Sequence, residues 1–113
     1  MERPFQPAKA PKDPEATRKL LASLWERNLP VLRDRFALLE YAVIAARAGT
    51  MTQPQRDEAI TTAHKLAGSL GMFGYPECTE FARRIEQHLE ATGPVDALRF
   101  GEDVAAMQAA LSL

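Results

Sequence analysis

Leu32, Phe36, Leu39, Val43 and Ala46 recur at steps of four, three, four and three. Only a helix turning about 100° per residue puts such residues on one line. A line of that kind is stable in water only when another apolar surface covers it. The constraint is repeated downstream. Ala59, Ile60, Ala63, Leu66, Ala67 and Leu70 form a second apolar side, Cys78, Phe81, Ala82, Ile85 and Leu89 a third, and Val95, Leu98, Val104, Met107 and Leu111 a fourth. No segment alternates with the period of two that a strand requires.

The punctuation between these groups fits helix ends. Asp13-Pro14-Glu15 offers a capping carboxylate, a proline in the first helical position and an acid in the first turn. A first helix is therefore predicted over 14–27, with Leu20, Leu21, Leu24 and Trp25 as its stripe. Pro30 disfavours helix at Leu29 and predicts a break or kink at 28–30, a kink leaving the first and second helices nearly continuous. A second helix follows over 30–48 and stops at Gly49. Thr52, Pro54 and Gln55 form a capping signal for a third over 53–71. Gly71 and Gly74 bracket a turn, Pro76 opens a fourth helix over 76–91, and Thr92-Gly93-Pro94 separates it from a fifth over 94–111, in which Gly101 is a weak point. The expected fold is all-α: an antiparallel up-down four-helix bundle with an additional N-terminal helix lying across one end. Residues 1–13, with Pro4, Pro7 and Pro11, read as a flexible arm, and 14–113 as one domain.

Composition narrows the function classes. With 14 basic and 15 acidic residues interleaved at a net charge of −1, no face is built for nucleic acid. No apolar run is long enough to span a membrane, and the first residues lack the core of a signal peptide. The one cysteine, Cys78, fits a reducing, cytoplasmic setting. One cysteine and two histidines make a poor metal or haem set, and neither a glycine-rich phosphate loop nor an acidic metal cluster is present.

The stretch from Ala63 to Gly74, AHKLAGSLGMFG, is the informative one. By helical arithmetic His64 lies about 110° from the centre of the core side, on the shoulder of the bundle. Asp57, Thr61, Gly68 and Gly71 share that shoulder, at i−7, i−3, i+4 and i+7. A helix-interior glycine costs about 0.5–1 kcal/mol relative to alanine, so Gly68 beside an exposed histidine clears space at a cost in stability. An ordinary imidazole, with a pKa of about 6.5, is mostly neutral at pH 7 and is then a good nucleophile. His88 flanks the apolar side of its helix without such a clearing and reads as a plain surface residue.

His64-Lys65-Leu66-Ala67-Gly68-Ser69-Leu70-Gly71, followed by Phe73-Gly74, resembles the signature of histidine-phosphotransfer (HPt) domains, roughly His-x-Leu-Lys-Gly-Ser late in a bundle helix. The match extends in layout over residues 29–111. The resemblance implies that His64 is the phosphorylated residue and that Gly68 keeps it accessible. It implies a phosphoryl carrier between aspartates of response-regulator receiver domains, those of a hybrid histidine kinase included, without ATP-dependent kinase or hydrolase activity. Such a carrier has no cofactor of its own, and Mg²⁺ is expected on the receiver. It is expected to be a monomer that docks through Asp57, Thr61, Ser69, Gly71 and the preceding helix. The chain departs from the pattern at Ala67, where the family often has a lysine that neutralises the phosphoryl group. Lys65 is adjacent in sequence but about 100° round the helix. A hairpin turning near Phe73 would bring residues 82–83 level with His64, making Arg83 and Arg84 further candidates. The alternative reading is a bundle that is not phosphorylated and binds and regulates a receiver or kinase. A dimerising histidine-kinase fragment is a third.

Overall fold

The computed structural model describes residues 13–113. The expected loose arm lies outside the described residues except for Asp13, which caps the first helix. Four helices follow in order: α1 (Pro14–Ala48), α2 (Gln53–Met72), α3 (Pro76–Glu90) and α4 (Ala97–Leu111). Successive helices run antiparallel, α1 also packs on α4, and the bundle closes on itself. No strand occurs among the described residues.

The caps are those that the local sequence dictates. The Asp13 carboxylate accepts from the Glu15 backbone N–H at 3.1 Å. Thr52 and Gln55 form a reciprocal capping box. The Asp96 carboxylate accepts from the Arg99 N–H at 3.2 Å, so α4 starts at Ala97 and not at Pro94. Gly49 ends α1 with φ 71°, a left-handed conformation that glycine adopts without a Cβ clash.

The expected break at 28–30 is absent, and the separate N-terminal helix with it. Residues 14–27 are the first turns of a 35-residue α1 that continues without interruption through Pro30. Both Pro30 and Glu26, whose carbonyl loses its N–H partner, are exposed. Water can satisfy that carbonyl, so the proline costs less here than in a buried helix. At a rise of 1.5 Å per residue α1 is about 52 Å long and α2 about 30 Å. The N-terminal half of α1 therefore projects past the bundle, in keeping with a longest dimension of 59 Å.

Each helix gives the core four residues at steps of four, three and four, and α1 adds Ala42: Leu32, Phe36, Leu39 and Val43; Ala59, Ala63, Leu66 and Leu70; Cys78, Ala82, Ile85 and Leu89; Phe100, Val104, Met107 and Leu111. Antiparallel order stacks them in layers. Val43, Ala59, Leu89 and Phe100 form one end, then Leu39, Ala63, Ile85 and Val104, then Phe36, Leu66, Ala82 and Met107, then Leu32, Leu70, Cys78 and Leu111. Each phenylalanine shares its layer with an alanine, which is how side chains of unequal volume fill a layer without voids. Phe100 takes the seam position expected of Leu98, which is exposed instead. Burial, with Glu77 adding a smaller effect, pushes the Cys78 thiol up from its ordinary value, so it remains a protonated core residue. No helix among the described residues is long and apolar enough to cross a membrane.

Arg56 closes the end opposite the projecting arm. Its guanidinium donates to the carbonyls of Leu89 at 2.6 Å, Ala91 at 2.5 Å and Gly93 at 2.9 Å. These are the carbonyls that the C-terminus of α3 and the following loop leave unpaired. Arg56→Ala is expected to lower the unfolding free energy by about 1–3 kcal/mol, after discounting for the exposed part of the clamp. Arg56→Lys should recover only part of it, because an ammonium lacks the planar fork. Urea denaturation checks this, through a lower midpoint at unchanged slope.

Candidate functional site

α2 presents two rows at helical spacing. Its core row is buried. On the open side Thr61, Lys65, Gly68 and Met72 form an exposed row with the same four-three-four spacing. His64 stands between the two, at the edge facing α3. Its side chain is 79% exposed, so the shoulder position read from the sequence is where the ring lies.

The ring is held from α3. Nδ1 of His64 lies 3.4 Å from Oε1 of Glu86, whose side chain is only 19% exposed. A carboxylate only accepts, so Nδ1 is the ring nitrogen placed to donate, and Nε2 is the one turned away from Glu86. Glu86 was not among the residues expected here. Its position follows from register. Tyr75 N–H donates to the Leu70 carbonyl at 3.0 Å, Gly74 has φ 90°, and Pro76 opens α3. The hairpin thus pivots at Gly74–Tyr75 and not at Phe73, and residue 64 faces 86 and not 82–83. Pro76 as the first residue of α3 was the available signal.

The two glycines near His64 differ. A Cβ at Gly68 would meet nothing within 4 Å, so the space beside the ring is open. A Cβ at Gly71 would lie 3.0 Å from Oγ1 of Thr79. That hydroxyl also donates to the Ala67 carbonyl at 3.0 Å. Gly71 is therefore a close-approach position between α2 and α3, a packing role that its place on the expected docking surface did not convey.

The remaining candidates separate in the same way. Asp57 accepts from Gln53 Nε2 at 2.8 Å, and the Thr61 hydroxyl donates to the Asp57 carbonyl at 3.1 Å. Both residues are exposed on the same side of α2. Lys65 is exposed in the row next to His64. The Ser69 hydroxyl is buried without a hydrogen-bond partner, turned away from the open face on which it was expected. Arg84 does not approach His64. Its guanidinium lies 3.4 Å from Oδ1 of Asp103 on α4 and stacks 4.7 Å from the centre of the Phe81 ring. His88 lies 3.4 Å from the same carboxylate, which accounts for its position. Arg83 is exposed between Thr79 and Glu86, at steps of four and three along the stripe of α3 that touches α2 at Gly71 and at His64. That register sets it level with residues 67 and 68.

A family model described as the Hpt domain matches residues 18–112. The chain belongs to the Hpt domain family. Hpt domains serve histidine phosphotransfer in two-component phosphorelays and interact there with receiver domains. Among curated proteins the chain is similar to Protein RcaC of Microchaete diplosiphon, with 35% identity over 69 residues. That alignment covers 61% of this chain and 11% of the relative, so the chain spans a small part of the curated protein it matches. No solved structure matches.

The two glycines give a paired test of this Hpt site. Gly68→Ala is expected to stabilise the fold by about 0.5–1 kcal/mol through helix propensity, since the new methyl meets only open space. Gly71→Ala should lose that gain against Thr79, and a further Thr79→Ala exchange should restore part of it. Thermal unfolding of the three variants measures the order.

Proposed function

We propose that His64 accepts a phosphoryl group on Nε2 from the aspartyl phosphate of one receiver domain and returns it to the aspartate of another. The observation that carries this is an exposed ring whose Nδ1 lies 3.4 Å from Glu86, with open space at Gly68 one turn further along α2. The Nε2 lone pair attacks phosphorus in line. The bond between phosphorus and the aspartate oxygen breaks, and the electron pair leaves with the carboxylate. The proton stays on Nδ1, where Glu86 stabilises the positive ring of the phosphohistidine. The reverse step uses the same atoms. The receiver supplies Mg²⁺ and most of the charge stabilisation, since positioning and electrostatics dominate phosphoryl transfer.

Arg83 is the basic residue that compensates for Ala67. It is exposed, it lies on the α3 stripe that meets α2, and it is level with the position where the family often has lysine. Arg84, paired with Asp103, has no such part. The docking face is the side of α1 and α2 on which Thr61, Lys65 and Gly68 are exposed. There Ala37, Leu38, Tyr41 and Ala42 line a shallow groove against Gln55 and Glu58.

Incubation with phosphorylated receivers of the source genome should label the chain on His64 alone, as an acid-labile phosphate. His64→Gln should abolish the label while leaving the fold intact; label retained in that variant sinks the assignment. Gly68→Gln should stay folded yet transfer at least about tenfold more slowly, because the longer side chain crowds Nε2. Arg83→Ala should slow transfer several-fold and Arg84→Ala should not. Equal rates in these two variants would return Arg83 to an ordinary solvated charge.

A further inference from the structure

Helices touch only in chain order and at the closure of α4 on α1, so the α1–α4 edge lies opposite the α2–α3 edge that bears His64. A groove runs down the α1–α4 edge, with Val43 and Val104 beneath it and Ile44, Gly101 and Ala105 along its sides. Two large apolar side chains stand out here: Ile44 is 62% exposed and Leu98 66%. The layer of Val43 with Phe100 sets them level. Ile44 lies one residue beyond that layer on α1, and Leu98 two residues beyond it on antiparallel α4, a difference in height of about 1.5 Å. Exposed Ala105 and Ala109 extend the same face along α4.

Opposite charges frame this face. Glu40 and Arg47 are exposed on α1, about 10 Å apart along the axis, with Ile44 between them. Among the described residues neither has an ion-pair partner. Glu40 accepts from Nε2 of Gln108 at 2.6 Å. The Arg47 guanidinium lies across α4 at Gly101, with Nη2 3.0 Å from where a Cβ would stand. An acid, an apolar centre and a base in line are complementary to themselves under a two-fold rotation. An axis that lies in the interface and crosses both helices midway between residues 40 and 47 sets α1 antiparallel on α1 of a second copy, and α4 on α4. Glu40 of each copy then faces Arg47 of the other, and Ile44 and Leu98 meet their counterparts in the middle. A parallel pair would instead lay α1 on α4 and, by the layer of Leu39 with Val104, bring Glu40 level with Glu102. An axis midway between Arg33 and Glu40 also pairs opposite charges, but it carries Ile44 and Leu98 away from their counterparts.

We propose that the chain pairs with a second copy of itself through the α1–α4 edge, with reciprocal Glu40–Arg47 ion pairs about a centre of Ile44 and Leu98. The pair departs from the monomer expected from the family resemblance, and it does not depend on the phosphotransfer reading. With the loops at 49–52 and 92–96 the two copies overlap over about 25 Å by about 20 Å, or about 500 Å² on each. A standard interface buries about 800 Å² per partner, so this pair is weak and reversible. Both His64 side chains stay on the far edges, open to a receiver while the copies are paired.

The test is sedimentation equilibrium of the full chain up to about 1 mM, where a dimer with Kd on the order of 0.1 mM is expected. Ile44→Lys with Leu98→Lys changes only side chains already exposed and should raise Kd at least about tenfold. Glu40→Arg should also weaken the pair, by setting arginine against arginine. Adding Arg47→Glu to Glu40→Arg should return Kd to within about threefold of the wild type, because the exchange re-forms both ion pairs. A wild-type chain that stays monomeric throughout overturns the proposal, as does a dimer that the two lysines leave unchanged. A dimer that Glu40→Arg does not weaken, or that the charge exchange does not restore, overturns the antiparallel pairing and the proposal with it. Labelling by a phosphorylated receiver is followed in parallel on the lysine variant and should match the wild-type rate; transfer lost together with the dimer overturns the separation of the two edges. A chain that dimerises as described and takes no label supports the pair and overturns the phosphotransfer reading alone.

Discussion

The α2–α3 seam depends on one close approach. The Thr79 hydroxyl donates to the Ala67 carbonyl at 3.0 Å and fills the space that a side chain at residue 71 would take. This fixes the register of α3 on α2. A shift of one residue along α3 would rotate its face by about 100° and remove Glu86 from beside His64. The same register places Arg83 opposite residues 67 and 68. The carboxylate beside His64 and the guanidinium level with Gly68 both sit where that register puts them. Gly68 and Gly71 have separate duties, one keeping space open and the other keeping two helices close.

Two glycines in the C-terminal half of α2 cost about 0.5–1 kcal/mol each in helix stability. The core layers offset that cost. Leu66 and Leu70, on the same turns, are fully buried, and each contributes about 1.5–3 kcal/mol by leaving water. His64 stays outside those layers, with its side chain exposed. Site and core occupy different sides of one helix, and Gly68 can remain open because burial on the other side holds α2 in place.

Features that rest on local chemistry were legible in the sequence. The four-three-four seams, the caps at Asp13 and Thr52, the stop at Gly49 and the shoulder position of His64 all follow from helical geometry and neighbours within a turn. Features that depend on how elements meet were not. Pro30 reads as a break until it is seen on the solvent side of α1, where water replaces the lost bond. Leu98 and Phe100 are equal candidates for a seam until Asp96 sets the first residue of α4. Glu86 was missed because a turn displaced by one or two residues moves the opposing side chain by nearly a turn. The duty of Gly71 was hidden because Thr79 lies across a hairpin.

In the proposed transfer Glu86 and Arg83 act in opposite senses. Glu86 favours a positive ring and therefore the phosphorylated state of the imidazole, yet it repels the phosphoryl oxygens. Arg83 attracts those oxygens and disfavours a positive ring. Both act near the surface, where exposed charge pairs are worth about 0–1 kcal/mol. A tenfold change in an equilibrium takes about 1.4 kcal/mol, so neither charge can move the balance between histidine and aspartate far by itself. A deep cationic pocket would hold the group against the next receiver. An exposed ring with one carboxylate and one nearby guanidinium leaves the large stabilisation to whichever receiver is docked, and the group can then leave by the route it entered.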